Sequence, residues 1–236
     1  MTKKELINII QTSKYMSKYE AVLNTKTSEV FAYEAISIFE NSEQCVLNSE
    51  QIFQDIHHYP ELFFALEKKN KRAQINNYKK NQKLILNFDA DLFSKSSHQQ
   101  YWYNFLTPIK NKVIVNIFEN GRYSEVDFKV IDSFSQWLHK NFFQSSIGNI
   151  FKEQSIFSLE ILEQQQYIKI DNLIFDKIRK NIAYIHILDG LIKTAKKLKV
   201  KTIIGGVQTQ ADHQLALSMK IDYIQGSYFK EFNFTI

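Results

Sequence analysis

A chain of 236 residues with 44% hydrophobic residues, 19 Phe and 12 Tyr holds enough apolar material for one sizeable core, and 6 Gly and 2 Pro leave little for a flexible linker. No apolar run approaches the roughly 20 residues of a membrane span, Met1–Lys18 lacks the apolar centre of a signal peptide, and the lone Cys45 excludes an internal disulfide or thiolate metal centre, so a cytoplasmic location is expected. The formal charge of +5, with 30 basic residues spread among 25 acidic ones, does not demand nucleic-acid binding, and no Walker loop, GxGxxG or Cys/His ligand spacing occurs.

In chain order, Leu6, Ile9 and Ile10 have helical spacing behind Thr2 as N-cap, which predicts an amphipathic leader within residues 1–17. Tyr19–Asn24 and Val30–Phe39 read as strands around the polar turn Thr25–Glu29, an opening hairpin whose second strand carries Glu34. Glu50–Asn81 reads as helical with a break near Tyr59-Pro60, and its basic run Lys68–Lys83 as a solvated helix end turning into a strand. Strands follow at Lys83–Phe88, Lys112–Phe118, Ser145–Phe151, Tyr167–Asp171, Lys201–Gly206 and Ile221–Ile224. Helices are expected between them at Ser97–Phe105, Ser124–Lys140, Ile156–Leu162, Ala183–Leu198 and Gln210–Met219. Eight strands, the later ones separated by helices, predict one α/β domain over 1–236. Its form is a (β/α)8, TIM-like barrel with an antiparallel first strand.

In such a barrel the chemistry sits at the strand ends. These read Glu34, Asn87, Asn116, Gly148 with Asn149, Lys169 with Asp171, Gly205 with Gln208, and Gln225. Lys169 and Asp171, two residues apart in YIKID, are expected on one strand face. A glutamate inside an apolar strand needs a partner, water or a metal. A Glu34–Lys169–Asp171 network would satisfy these groups with no ligand at all, and residual binding of a nucleotide or phosphate is the functional alternative.

The order and spacing of these strand ends resembles the EAL family, the bacterial cyclic di-GMP phosphodiesterases, across nearly the whole chain. The signature is present as Glu34-Ala35-Ile36, the NxS strand end as Asn87-Phe88-Asp89 and the KID strand as Lys169-Ile170-Asp171. Gly205-Gly206-Val207-Gln208-Thr209 stands in place of EGVET, and Asp222-Tyr223-Ile224-Gln225-Gly226 matches the closing DYxQG. The resemblance implies a ligand site of Glu34, Asn87, Asn116, Lys169, Asp171, Gln208 and Gln225. Within it, Glu34, Asn87 and Asp171 would be the metal-facing residues, with Mg²⁺ or Mn²⁺ as the ion if the site is active.

Several positions depart from the family pattern. Asn116 stands where a glutamate is expected, although Glu119 follows; Gly148-Asn149 replaces paired aspartates; Gly205 and Gln208 replace two glutamates; and Ile38 replaces a phosphate-binding arginine. Mg²⁺ and Mn²⁺ are hard ions that need several carboxylates to form a hydrolytic pair, so the substitutions imply that no cofactor is held and that Glu34 and Lys169 are catalytic relics. The chain therefore reads as an inactive regulatory or interaction module. The alternatives are an active cyclic di-GMP phosphodiesterase with a rearranged site, or a metal-independent receptor for that nucleotide. The resemblance also implies a protein partner or homodimer through residues 147–181, with Ile150, Phe151, Ile156 and Phe157 as interface candidates.

Overall fold

The computed structural model describes residues 1–118, 125–151 and 158–236. Helix α1 (Lys3–Thr12) opens with the expected cap, in which Thr2 Oγ1 accepts the Glu5 N–H while the Glu5 carboxylate accepts the Thr2 N–H. It buries Leu6, Ile9 and Ile10. The leader is shorter than expected. Strand β1 (Lys14–Asn24) takes residues 14–17, because its antiparallel ladder with β2 (Val30–Glu40) runs out to Lys14 opposite Glu40.

Parallel neighbours then follow in sequence order: β3 (Lys83–Phe88), β4 (Val113–Ile117), β5 (Ser145–Ile150), β6 (Tyr167–Ile170), β7 (Lys201–Ile204) and β8 (Tyr223–Gln225). β1 closes the ring, antiparallel to both β2 and β8, giving the eight-stranded α/β barrel with an antiparallel first strand. A two-residue strand that periodicity misses, β9 (Phe234–Thr235), pairs with Lys18 and Tyr19 farther along the same edge of β1.

Helix α2 (Ser49–Ile56) is separated from α3 (Pro60–Asn77) where Pro60, at the start of α3, lacks the N–H to continue a helix. α4 (Ser96–Leu106), α5 (Glu125–Lys140) and α6 (Leu159–Glu163) fall close to the sequence reading. α7 (Leu173–Lys180) is an addition, amphipathic through buried Ile174, Phe175 and Ile178. α8 (Ile185–Lys197) and α9 (Gln210–Ser218) complete the set. The helices pack over the outer strand faces in a shared apolar layer that includes Leu66, Phe88, Trp102 and Phe134, with Phe93 stacked on Phe134 at 3.7 Å. Among the described residues no helix is long and apolar enough to cross a membrane.

The basic run is not wholly solvated. Lys71, Asn70 and Gln74 are buried with Glu67 on one stripe of α3, while Lys69, Arg72, Lys79 and Lys80 face water. Lys71 Nζ lies 2.6 Å from Glu67 Oε2, and Asn70 and Gln74 both donate to Ser37 Oγ on β2. The stripe avoids the cost of burying charge by pairing it internally.

Candidate functional site

Strand alternation builds the barrel interior in layers. Val22, Ala32, Ile85, Ile114, Tyr167 and Ile203 form a buried cluster, flanked by Phe31 stacked on Tyr223 at 4.0 Å. Two residues further along five of these strands, on the same face, stand Glu34, Asn87, Asn116, Lys169 and Gln225. The apolar layer is the floor and the polar layer the mouth.

The polar layer is one hydrogen-bonded chain. Asn116 Nδ2 donates to Asn87 Oδ1 at 2.7 Å, and Asn87 Nδ2 donates to Glu34 Oε1 at 3.1 Å. Glu34 Oε2 accepts from Lys169 Nζ at 2.5 Å and from Gln225 Nε2 at 2.7 Å. Burial alone would raise the Glu34 carboxyl, but the Lys169 ammonium and the hydrogen bonds from Lys169, Gln225 and Asn87 outweigh it and hold the group below its ordinary value. Asn116 Oδ1 and Gln225 Oε1 are buried without a partner among the described residues.

Two cavities flank this layer. One, of about 250 Å³, is lined by Glu34, Lys169, Asp171, Gly205 and Gln225 together with Glu20. The other, of about 370 Å³, runs from Ile36 and Asn87 to the rings of Phe53 and Phe63 and the Glu67–Lys71 pair. The profile of the EAL domain family matches residues 4–231. The chain belongs to the EAL domain family. No curated protein sequence matches it.

Solved EAL structures resemble it closely in fold. An EAL domain protein from Listeria monocytogenes aligns over 97% of this chain and 92% of that one, with a TM-score of 0.77 at 18% identity. The FimX EAL domain of Pseudomonas aeruginosa, bound to c-di-GMP, aligns over 96% and 95%, with a TM-score of 0.75 at 16% identity. The Bacillus subtilis YkuI protein, in complex with c-di-GMP and calcium, aligns over 97% of this chain and 57% of that one, with a TM-score of 0.75 at 16% identity.

Within this EAL barrel the sequence-predicted residues separate into groups. Glu34, Asn87, Asn116, Lys169 and Gln225 come together as described. Asp171 lines the smaller cavity but does not join a Glu34–Lys169–Asp171 network. β6 ends at Ile170, so the face alternation stops, and Asp171 Oδ1 instead accepts the Leu173 N–H at 2.9 Å at the entrance to α7. Gln208 is exposed and does not line either cavity; its backbone N–H donates to Asp212 Oδ2 within the cap of α9.

Gly148 packs against Asn116, and a Cβ there would lie 3.0 Å from Asn116 Nδ2. At Gly205 a Cβ would meet only Ile170 O, at 3.6 Å. Ile150 is buried and Phe151 packs part-buried against the outer apolar layer. Glu119, Ile156 and Phe157 lie outside the described residues, as does the side chain of Asn149.

Sequence reading missed Glu20. It stands directly opposite Glu34 in the β1–β2 register, and its carboxylate accepts from Lys18 at 2.6 Å and Gln225 at 3.2 Å. The register shift between Val22 and Leu23 displaces this pairing by one residue from a plain count outward along the ladder from Leu23 and Val30. Among the described residues, the one His/Asp/Glu trio close enough to share an ion is His57, Asp89 and Asp91, off the polar layer. There His57 Nε2 lies 2.7 Å from Asp89 Oδ2.

Proposed function

We propose that this EAL domain is a signalling module that has given up metal-dependent hydrolysis and acts through contact with a protein, with cyclic di-GMP as a ligand in place of a substrate. The observation that carries this reading is the state of Glu34: both its oxygens face donors, and one of the donors is the Lys169 ammonium. A divalent ion would have to displace that ammonium to reach the carboxylate. Asn87 Oδ1 and Asp171 Oδ1 are likewise engaged, by Asn116 and Leu173. The remaining strand-end positions are neutral: Asn116, Gly148 and Gly205 supply no charge to offset a pair of hard cations. This donor set does not fit a two-metal centre. Each lost electrostatic or general-base contribution costs about two orders of magnitude or more in rate.

The cavities on either side of Glu34 and Asn87 leave room for a two-lobed nucleotide, and the FimX and YkuI structures hold c-di-GMP. The protein contact is assigned to residues 147–181, where Leu159 is exposed at the start of α6. A large apolar side chain there gains about 1.5–3 kcal/mol on burial against a partner. Calorimetry with cyclic di-GMP, with and without Mg²⁺ or Mn²⁺, is run beside a chromatographic hydrolysis assay. The expected result is binding indifferent to metal and no linear product. Linear dinucleotide formed within minutes at micromolar protein, and lost in Glu34→Ala, refutes the proposal. For the contact, Leu159→Asp should abolish self-association or partner capture at an unchanged melting temperature.

A further inference from the structure

The end of the barrel opposite the mouth carries a second cavity system with a different chemistry. It measures about 500 Å³ and is lined by Lys26, Lys196, Lys199, Lys201 and Lys220, with Asp222 as its one carboxylate. Asp222 is already engaged: Oδ1 accepts from Lys201 Nζ at 2.8 Å, and Oδ2 from the Thr202 N–H and hydroxyl at 3.1 Å. This lining sets five lysines against a single carboxylate in a chain whose formal charge is only +5. In a barrel this end ordinarily serves stability, and like charges converging there oppose it.

The backbone fixes these lysines. Lys199 and Lys220 follow α8 and α9 at equivalent places, each two residues beyond the helix and just before a buried Val200 or Ile221. Both adopt left-handed conformations, with φ of 62° and 59°, at a helix exit where glycine is the usual solution. Lys26 is held by an Asx turn, in which Asn24 Oδ1 accepts the N–H groups of Lys26 and Thr27. A lysine at one helix end is explained by the helix dipole. Two strained lysines, with three more around the same cavity, are not.

We infer that this cavity is an anion site for a small molecule carrying a chain of linked phosphates. The volume exceeds what a single phosphate fills, and the lysines supply point charges with rotatable donors suited to phosphate oxygens. Among the described residues no aromatic ring lines it, so recognition rests on the phosphates and not on base stacking. The concave shape favours a free oligophosphate over a membrane surface.

The probe is inorganic tripolyphosphate, titrated by calorimetry into the full chain at low and moderate salt, with orthophosphate and anionic phospholipid vesicles as parallel arms. The key variant is Lys199→Gly with Lys220→Gly, which removes two charges and relieves two left-handed backbones. It is expected to melt higher than the wild type yet bind tripolyphosphate at least tenfold more weakly. The control Lys177→Gln with Lys180→Gln removes the same charge from exposed positions on α7 and should bind as the wild type does. Binding that falls with salt and exceeds that of orthophosphate at least tenfold supports the site. Equal loss in the control, undiminished binding in the double glycine variant, equal affinity for orthophosphate, or binding to vesicles without binding to tripolyphosphate overturns it.

Discussion

Replacing Lys169 with methionine removes the one cation in contact with Glu34 among the described residues and leaves the side chain's length and most of its packing. Glu34 is 6% exposed and would keep only the amide donors of Asn87 and Gln225. Breaking a buried pair by deleting one partner costs about 3–5 kcal/mol. Lys169 is 18% exposed and borders a cavity, which lets water soften the loss, so about 3 kcal/mol is expected at pH 7. In a domain of this size that lowers the melting temperature by roughly 6–12 °C.

The pH dependence has a definite sign. In the wild type the folded Glu34 value lies below the unfolded one, so its contribution is present above the unfolded value and is lost as pH falls through the folded value. Without Lys169, burial dominates and the folded value rises above the unfolded value of about 4.3. The penalty is then full at high pH and relieved on acidification, because Glu34 can protonate instead. That escape caps the penalty near 4 kcal/mol at pH 7 and near 1 kcal/mol at pH 5, at about 1.36 kcal/mol per pH unit above the unfolded value. Urea unfolding of Lys169→Met at the two pH values measures the difference. The double variant Glu34→Gln with Lys169→Met, which carries no buried charge, should return to within about 1 kcal/mol of the wild type. A Lys169→Met loss that is the same at pH 5 and pH 7, or a double variant less stable than the single, would refute the reasoning.

Two further outcomes follow from the geometry around the mouth. Burial alone would lower His57, but the hydrogen bond and charge of Asp89 and the Phe53 carbonyl prevail and raise it; its stabilisation is full below about 6.5 and is lost as pH rises through the raised value. Urea midpoints from pH 6 to 9 should therefore decline in the wild type and flatten in His57→Gln, and an unchanged slope in the variant would exclude this origin. Gly205→Ala should melt within a few degrees of the wild type. Gly206→Ala should lose soluble yield, because Gly206 has φ +74° and its added Cβ would lie 2.0 Å from Asn172 Cβ; equal behaviour of the two in a thermal-shift assay would contradict the packing.

The barrel was legible because its strands are buried on both faces and so appear as apolar runs, such as Lys83–Phe88 and Lys201–Ile204, bounded by polar residues. The inward-facing residues were legible for the same reason: a polar Asn87 or Asn116 inside such a run has few places to go. What the pattern could not show was where alternation ceases. Asp171 and Gln208 sit just past strand ends, where a local turn decides direction, and each was captured by the following helix start. Glu20 escaped because its role depends on a ladder partner in another strand, and the burial of Asn70 because its acceptor Ser37 becomes a neighbour only on folding; the Glu67–Lys71 pair, by contrast, has the i,i+4 spacing of one helix face. β9 is too short to carry a period and exists only by pairing with β1.

The two-sided pairing of β1 also bears on the order in which the protein can be made. Its β2 edge is satisfied by the adjacent hairpin, but its other edge waits for Tyr223–Gln225 and Phe234–Thr235, about 200 residues downstream. The final bonds join Ser17 to Ile236 in both directions, at 2.8 and 3.0 Å. While the ribosome is still producing the intervening strands, an emerged hairpin displays an open row of backbone donors and acceptors, a template for pairing with other nascent chains. Tyr19, Val22 and Leu23 on that strand remain without their cover until those distant segments have emerged. Ring closure is thus a late event that depends on distant segments meeting, which makes folding slow relative to local helix formation.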